Sequence, residues 1–559
     1  MNLLTVAIPK KWLSILLFHY LYFPQIKFIM KTSDTTAPYR NIYLVGGGIA
    51  SLAAAAYFIR DGKISGDHIT IFEEQPIIGG SLDGSGCPED GYVLRGGRML
   101  NFSYVCTYDL LSFIPSLADP AITVHDEIVA FNKTNRTHAN ARVISNGHIV
   151  DVTSMDFSYK DRLDLIELMA ISEDKLGAKQ INQWFDPRFF ETNFWYMWDT
   201  MFAFQPWHSV VEFKRYLHRF IHEFERINTL AGVDRTPFNQ YDSIVKPLIK
   251  WLQAQGVKFE MGAEVTNLDF RRLDDKERVE RIHYKQNSIK KEIELSVHDL
   301  ILVTVGSMTA DSSLGSMQTA PDVILNKAVG SWKLWHNIAE RNAQFGNPAV
   351  FDSHVDKSKW ESFTVTCKGT DFFDLMEKFT GNVAGTGGLV TFKDSNWLMS
   401  VVLPHQPHFI GQPNDVTVFW GYGLFPNKEG NFVRKRMADC TGAEIMTELL
   451  SHLHFNNVTD QILKTSNCIP CMLPYITSQF LVREKGDRPL VVPEVSHNLA
   501  FIGQFVEVPE DVVFTVEYSV RTAQTAVYTL LALDKQPTPI YKGENHLSVL
   551  FDAAKTLLS

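Results

Sequence analysis

A chain of 559 residues with 45% hydrophobic and 21% charged residues has an ordinary globular composition, with room for roughly two to four structural domains. Its formal net charge of -10 excludes nucleic acid as a main partner, because a phosphate backbone needs a basic face. Six cysteines in this length form no disulfide framework, which points to a reducing, cytoplasmic setting.

In chain order, residues 12–26 come first: uncharged, mostly apolar and preceded by Lys10-Lys11. No small-residue cleavage site follows, Pro24 and Lys27 interrupt the run, and it is short for a bilayer span. The expectation is that Met30 is the biological start, or that the first 29 residues are a loosely attached extension. Residues 41–45 then read as an apolar strand, 49–60 as an Ala-rich helix ended by Gly62, and 68–72 as a second strand. Residues 79–98 are Gly-rich and read as irregular. Helical periodicity is strongest over 161–176 and 209–227, with a further amphipathic helix over 241–255. Strands follow at 257–261 and 264–268, and the charged stretch 271–291 reads as solvated hairpins. The unbroken apolar run of 299–305 is a buried parallel strand. Residues 381–388 form a flexible loop, 499–502 a last short strand, 513–533 a last long helix, and 546–558 an amphipathic tail helix. That tail has an apolar face suited either to the protein's own core or to peripheral contact with a membrane surface. Cys468 and Cys471 make a C-x-x-C with no second pair to complete a zinc site, and read as reduced thiols in a loop or core. The 38 Phe and 11 Trp suit an aromatic core, and equally a large apolar ligand pocket.

The junction of the first strand and helix carries Gly46-Gly47-Gly48-Ile49-Ala50-Ser51, a G-x-G-x-x-S. The first glycine permits a tight turn, and Gly48 lets backbone N–H groups approach a pyrophosphate at the helix N-terminus. Ser51 is small enough for close helix–strand packing. Glu73 closes the second strand 27 residues after Gly46, where a carboxylate can take the ribose hydroxyls. Gly79-Gly80 follows at the spacing seen in amine-oxidase-like FAD proteins. Ala263-Glu264-Val265 stands where such proteins contact the adenine, and Thr304-Val305-Gly306-Ser307 where they pass the dinucleotide. Phe501-Ile502-Gly503-Gln504 and the helix after it resemble the region that returns to the flavin ring. Together these predict bound FAD.

Longer stretches carry a more specific resemblance: Gly79-Gly80-Ser81-Leu82-Asp83-Gly84, Arg95-Gly96-Gly97-Arg98, Thr200-Met201-Phe202-Ala203-Phe204, Trp207-His208-Ser209, Asn239-Gln240-Tyr241, the run Thr391 to Trp397, Gln406-Pro407-His408-Phe409 and Glu517-Tyr518-Ser519-Val520-Arg521. From Ile42 to about Tyr528 the chain resembles the oleate hydratases, FAD-containing fatty acid double-bond hydratases once described as myosin-cross-reactive antigens. The resemblance implies cofactor contacts from Gly46, Gly48, Ile49, Ala50, Ser51, Glu73, Glu74, Ser81, Arg98, Met99, Leu100, Val265, Gly306, Ser307, Gln504 and Phe514. It further implies Tyr216 as the proton donor, with Gln240 and His408 lining the fatty acid site. Without the resemblance Tyr216 reads as a half-buried packing residue on an amphipathic helix.

Two departures stand out. Met99 occupies the position where the family's loop carries a glutamate held to activate water, and a thioether takes no proton at neutral pH. Val402 and Pro404 replace a Thr and an Asn that anchor the substrate carboxylate. His405-x-x-His408 is no metal pair, since Pro407 intervenes and no carboxylate is near; no metal is expected.

The expected fold is α/β. A discontinuous Rossmann-like FAD-binding domain spans 38–120, 235–320 and 490–535, an interleaved α+β substrate domain and lid 121–234 and 321–489, and a short C-terminal helical element 536–559; residues 1–37 lie outside the core. The expected reaction joins water to a cis double bond of a free unsaturated long-chain fatty acid. Two alternatives stay open: an FAD-dependent oxidoreductase of the amine-oxidase or desaturase type, and a catalytically impaired flavin- and lipid-binding relative. No segment specifies an oligomeric state.

Overall fold

The computed structural model describes residues 40–97, 99–325 and 330–558. The expected N-terminal extension, its Met30 start and Arg98 lie outside the described residues.

The apolar runs 42–45, 69–73 and 300–304 have too little polar surface for a strand with one wet face, and each becomes an inner strand of a covered parallel sheet. With two further strands they are arranged in the order Leu499–Ile502, Leu300–Thr304, Ile42–Val45, Ile69–Glu73, Lys258–Met261. Every pairing is parallel, with Ile42 opposite both Ile69 and Leu300. The first strand therefore has its sequence neighbour on one side and a distant strand on the other. Its carboxyl end is a topological switch point, where open α/β sheets form a crevice. Helix Ile49–Arg60 packs against helix Val516–Leu530. Ala53 to Ala56 are all fully buried there, because small side chains let helix backbones approach closely.

The charged stretch after residue 262 is a three-stranded antiparallel meander, Ala263–Leu273, Lys276–Gln286 and Ile289–Glu294, with an almost wholly exposed outer strand. It realises the expected hairpins as one small sheet.

The second large element is an eight-stranded sheet that periodicity did not reveal. Its order is Ser313–Leu314, Ser466–Leu473, Trp360–Lys368, Val416–Gly423, Met399–Val402, Leu389–Phe392, Val143–Ser145, His148–Ile149. Alternation along Trp360–Lys368 explains its two faces. Phe363, Val365 and Cys367 join a core of their own with helices Asp371–Thr380 and Gly442–His452. Thr364 and Thr366 point the other way, and their hydroxyls accept from Leu94 N at 3.0 Å and Tyr92 N at 2.8 Å. Those amides belong to a hairpin, Gly84–Cys87 with Gly91–Leu94, inside the stretch expected to be irregular. Cys468 and Cys471 are buried on Ser466–Leu473, and all six cysteines are free thiols.

The expected helices exist but are shorter. The 161–176 segment divides into Tyr159–Ala170, opened by a Ser158–Asp161 capping box, and Glu173–Leu176, with Ile171 extended between them. The 209–227 segment is helix Val210–Arg219 followed by a tighter turn, Ile221–Arg226. The 241–255 segment opens as a π-helical turn, Tyr241–Val245, before α-helix Lys246–Ala254. The last long helix starts at Val516, because Phe514 adopts φ +70° and the Thr515 hydroxyl caps Tyr518 N. The tail helix is Leu547–Leu558.

Candidate functional site

A cavity of about 670 Å³ opens at the carboxyl ends of the parallel strands. Its floor is the turn between Ile42–Val45 and Ile49–Arg60. Gly46 sits at φ +93°, a conformation that excludes other residue types without strain. Gly47 is held by the Glu73 carboxylate, which accepts from Gly47 N at 2.6 Å and from Gln75 N at 2.7 Å. A Cβ on Gly47 would lie 2.8 Å from that carboxylate. Gly48 faces the opening: among the described residues a Cβ there would meet nothing nearer than Gly80 Cα at 4.0 Å. The bare backbone at the start of Ile49–Arg60 is thus presented to the void, the arrangement that receives a phosphate at a helix N-terminus.

Gly46, Gly48, Ile49, Ala50, Glu73, Glu74, Ser81, Val265, Gly306, Ser307 and Gln504 all line this one cavity. Ser51 lies behind the turn, with its hydroxyl 3.4 Å from Thr304 Oγ1. Burial raises the pKa of Glu73. Glu74 is exposed toward the void; desolvation by the protein around it, then the charges of Glu73, Glu264 and Asp311, push its carboxyl up to about 7. Arg95 supplies positive charge. Its Nε donates to Asp83 at 2.9 Å, one Nη to Gly80 O at 2.8 Å and the other to Ser312 Oγ at 3.0 Å. The volume falls in the ~300–1,000 Å³ range of small-molecule sites, and the glycine cradle, acid and arginine fit a dinucleotide.

A second cavity of about 160 Å³ lies beside it, lined by Met99, Tyr216, Gln240, His408 and Phe514. The two voids share a wall. Ser81 and Arg95 face one and Leu82, Asp83, Gly96 and Gly97 the other, while Gln504 accepts from Phe514 N across the boundary. Met99 and Phe514 therefore stand at the junction, on the smaller cavity. Leu100 is buried behind Met99 and pairs with Asp234.

Tyr216 comes from the middle of helix Val210–Arg219 and is 1% exposed. Phe202, Phe204, Phe220 and Phe480 surround its ring, and its hydroxyl donates to Val513 O at 2.5 Å. The Gly96-Gly97 loop crosses the sheet, where a Cβ on Gly97 would touch Trp420 at 3.4 Å. Trp420, Tyr422 and Trp360 form an aromatic wall with ring centroids 4.8 to 4.9 Å apart between neighbours. Asp83 is the only carboxylate on this cavity among the described residues, and Arg95 already engages it.

The polar side of the smaller cavity is built by residues 235–240 and 404–408, joined where Asn239 N donates to His408 O at 2.8 Å. Burial pulls the His408 imidazole down to about 3, so it is neutral at physiological pH. Sequence reasoning missed Arg95 and Arg235 on these walls. Arg95 was visible inside a quoted motif; Arg235, a lone arginine, carried no signal of its own.

The model of the MCRA family matches residues 39–528. An oleate hydratase of Streptococcus pyogenes serotype M49 (strain NZ131) is 41% identical over 505 residues, which cover 88% of this chain and 85% of that protein. A linoleate hydratase of Lactiplantibacillus plantarum is 34% identical over 528 residues, 87% of this chain and 92% of that protein.

Proposed function

The chain belongs to the MCRA family, and from that premise we propose that it is an FAD-containing hydratase of unsaturated long-chain fatty acids. The observation that carries the reading is the match, along most of its length, to two proteins named for oleate and linoleate hydration. The product is a hydroxy fatty acid. FAD would be held in the larger cavity, by Gly46, Gly48, Ile49 and Ala50 at its pyrophosphate, by Glu73 at its ribose, and by Gln504, Met99 and Phe514 at its ring. Bound there, it supplies a rigid polar wall and a fixed electrostatic field, since water addition moves no net electrons.

Tyr216 is the proton donor of this proposal, and Gln240 and His408 contact the fatty acid. Its support is position: the phenol reaches the smaller cavity from an otherwise apolar box. A phenol of pKa about 10 is a weak acid toward carbon, so much of the barrier reduction must come from positioning and charge stabilisation. Tyr216 gives its proton to one alkene carbon and water adds its oxygen to the other. The phenolate left behind is a proton acceptor in its own right, so the second proton of that water has a destination although Met99 offers none. The hydrogen bond to Val513 O must break for the transfer to occur.

The domain division 38–120, 235–320 and 490–535 against 121–234 and 321–489 remains part of the proposal. In its support, all five parallel strands fall in the first set, and seven of the eight strands of the large sheet in the second.

Incubation of the purified, FAD-loaded protein with oleate or linoleate tests the reading. A product heavier by one water, formed without consumption of oxygen or nicotinamide, supports it; an oxidised product would replace it with a flavin oxidoreductase. Met99, Val402 and Pro404 favour one second reading, a lipid-binding relative of impaired activity. Tight oleate binding with no product would select it.

A further inference from the structure

Arg235 lines the smaller cavity, and no described residue sets an opposite charge against it. The residue is 8% exposed. Among the described residues its only side-chain hydrogen bond runs from Nε to Thr137 Oγ1 at 3.3 Å, and Nη2 is sealed from solvent without a partner. Burial lowers its pKa to about 10, and no carboxylate among the described residues counters it.

Other buried arginines are treated differently. Arg219 meets Asp511, Arg488 meets Glu212, and Arg521 meets both Asp511 and Glu517. Arg142, which meets no acid among the described residues, donates to the carbonyls of Leu389, Ile227 and Met197. A buried guanidinium lacking both kinds of partner is unfavourable unless a ligand completes it. The nearby groups cannot do so. His408 and His405 are held toward their neutral forms, and Thr236, Asn239 and Gln240 carry no charge. Asp242, whose charge acts on His408, is taken by Lys246 at 2.6 Å and Asn239 at 2.8 Å.

The rest of the wall is apolar, with Leu82, Leu94, Phe202, Leu389, Val402 and Trp420 suited to an alkyl chain. Arg235 is the only cation lining this cavity among the described residues. We propose that Arg235 binds the carboxylate of the fatty acid and selects free acids over esters and alcohols. The inference rests on the hydratase reading for the identity of its ligand. A planar guanidinium offers paired N–H groups that match the two oxygens of a carboxylate. Val402 and Pro404 offer no side-chain donor on the opposing segment, so the charge of Arg235 is the group that fixes the head of the chain.

The test measures binding of oleate and of oleyl alcohol to the full-length, FAD-loaded protein and to Arg235→Gln and Arg235→Lys. The wild type should prefer the acid by about tenfold to a hundredfold, the range expected of hydrogen bonds to a charged group. Arg235→Gln should lose that preference through weaker acid binding, with alcohol binding unchanged, and Arg235→Lys should retain part of it. Equal binding of acid and alcohol by the wild type overturns the proposal, as does a full preference in Arg235→Gln. Should Arg235→Gln fail to fold, the wild-type preference and Arg235→Lys decide the matter. Product formation is followed in the same samples. Charge-selective binding without hydration would remove the activity but keep the anchor; hydration with unchanged selectivity in Arg235→Gln would do the reverse.

Discussion

At the scale of single residues, Tyr216 and Met99 are next to one cavity but are expected to answer mutation in opposite ways. Tyr216→Phe keeps the ring among Phe202, Phe204 and Phe480 and removes the acidic hydrogen and, among the described residues, the bond to Val513 O. Hydration should fall by at least about a hundredfold, the contribution of a positioned general acid, with flavin content unchanged. Met99→Ala should cost far less, because a thioether moves no proton; full activity in Tyr216→Phe beside a dead, flavin-loaded Met99→Ala would reverse the assignment. Glu74 gives a pH dependence. Its folded pKa of about 7 exceeds the ordinary carboxyl value of 4.5, so the folded state holds the proton more tightly than the unfolded chain. Its contribution to stability is therefore most favourable below pH 4.5 and is lost as pH rises to 7. Ionised Glu74 also adds negative charge beside Glu73 and Glu264, in the cavity proposed to take an anionic dinucleotide. Fluorescence titration should show FAD affinity falling between pH 6 and 8 in the wild type and a flatter profile in Glu74→Gln; identical profiles would remove Glu74 from the account. Such residues differ in legibility. The spacing of Gly46, Gly48 and Glu73 predicted that they would meet, and they line one cavity, whereas Arg235 and Trp420 enter theirs from segments nearly two hundred residues apart, and nothing local marks either.

At the scale of elements, the strand–turn–helix unit at residues 42–60 was legible because each local signal agrees with the others: an apolar run, a glycine turn and small residues on the helix. Gly48→Leu tests it. The Cβ has space among the described residues, so the fold should survive, while the longer side chain projects where the pyrophosphate is proposed to lie. Protein that is folded by circular dichroism but colourless is the expected outcome; normal flavin affinity would sink the site. The hairpin Gly84–Leu94 was illegible for the converse reason: Gly84, Gly86 and Gly91 have low strand propensity, and the hairpin exists through the hydroxyls of Thr364 and Thr366. The eight-stranded sheet was hidden likewise, since Trp360–Lys368 mixes Glu, Ser, Thr and Cys and is buried on both faces. Tail helix Leu547–Leu558 packs partly on residues 221–226 yet leaves Leu547 85% and Phe551 71% exposed. Those side chains suit a lipid surface. Co-sedimentation with oleate-containing liposomes should weaken in a chain ending at Glu544; equal binding would leave the tail a packing element.

At the scale of the whole molecule, the two cavities meet between the parallel sheet and the large sheet, where no single continuous segment owns the wall. The described residues contain no helix long and apolar enough to cross a membrane. The interleaving of the two sheets also bears on synthesis. The central strand Ile42–Val45 is among the first described parts to leave the ribosome, but its sheet is finished only by Leu499–Ile502 and covered by Val516–Leu530. Closing a layer across more than four hundred residues makes folding slow and leaves apolar strand edges exposed meanwhile. A nascent chain arrested before residue 499 cannot complete the sheet behind the larger cavity, so the segment 499–504 must be made before that cavity can close.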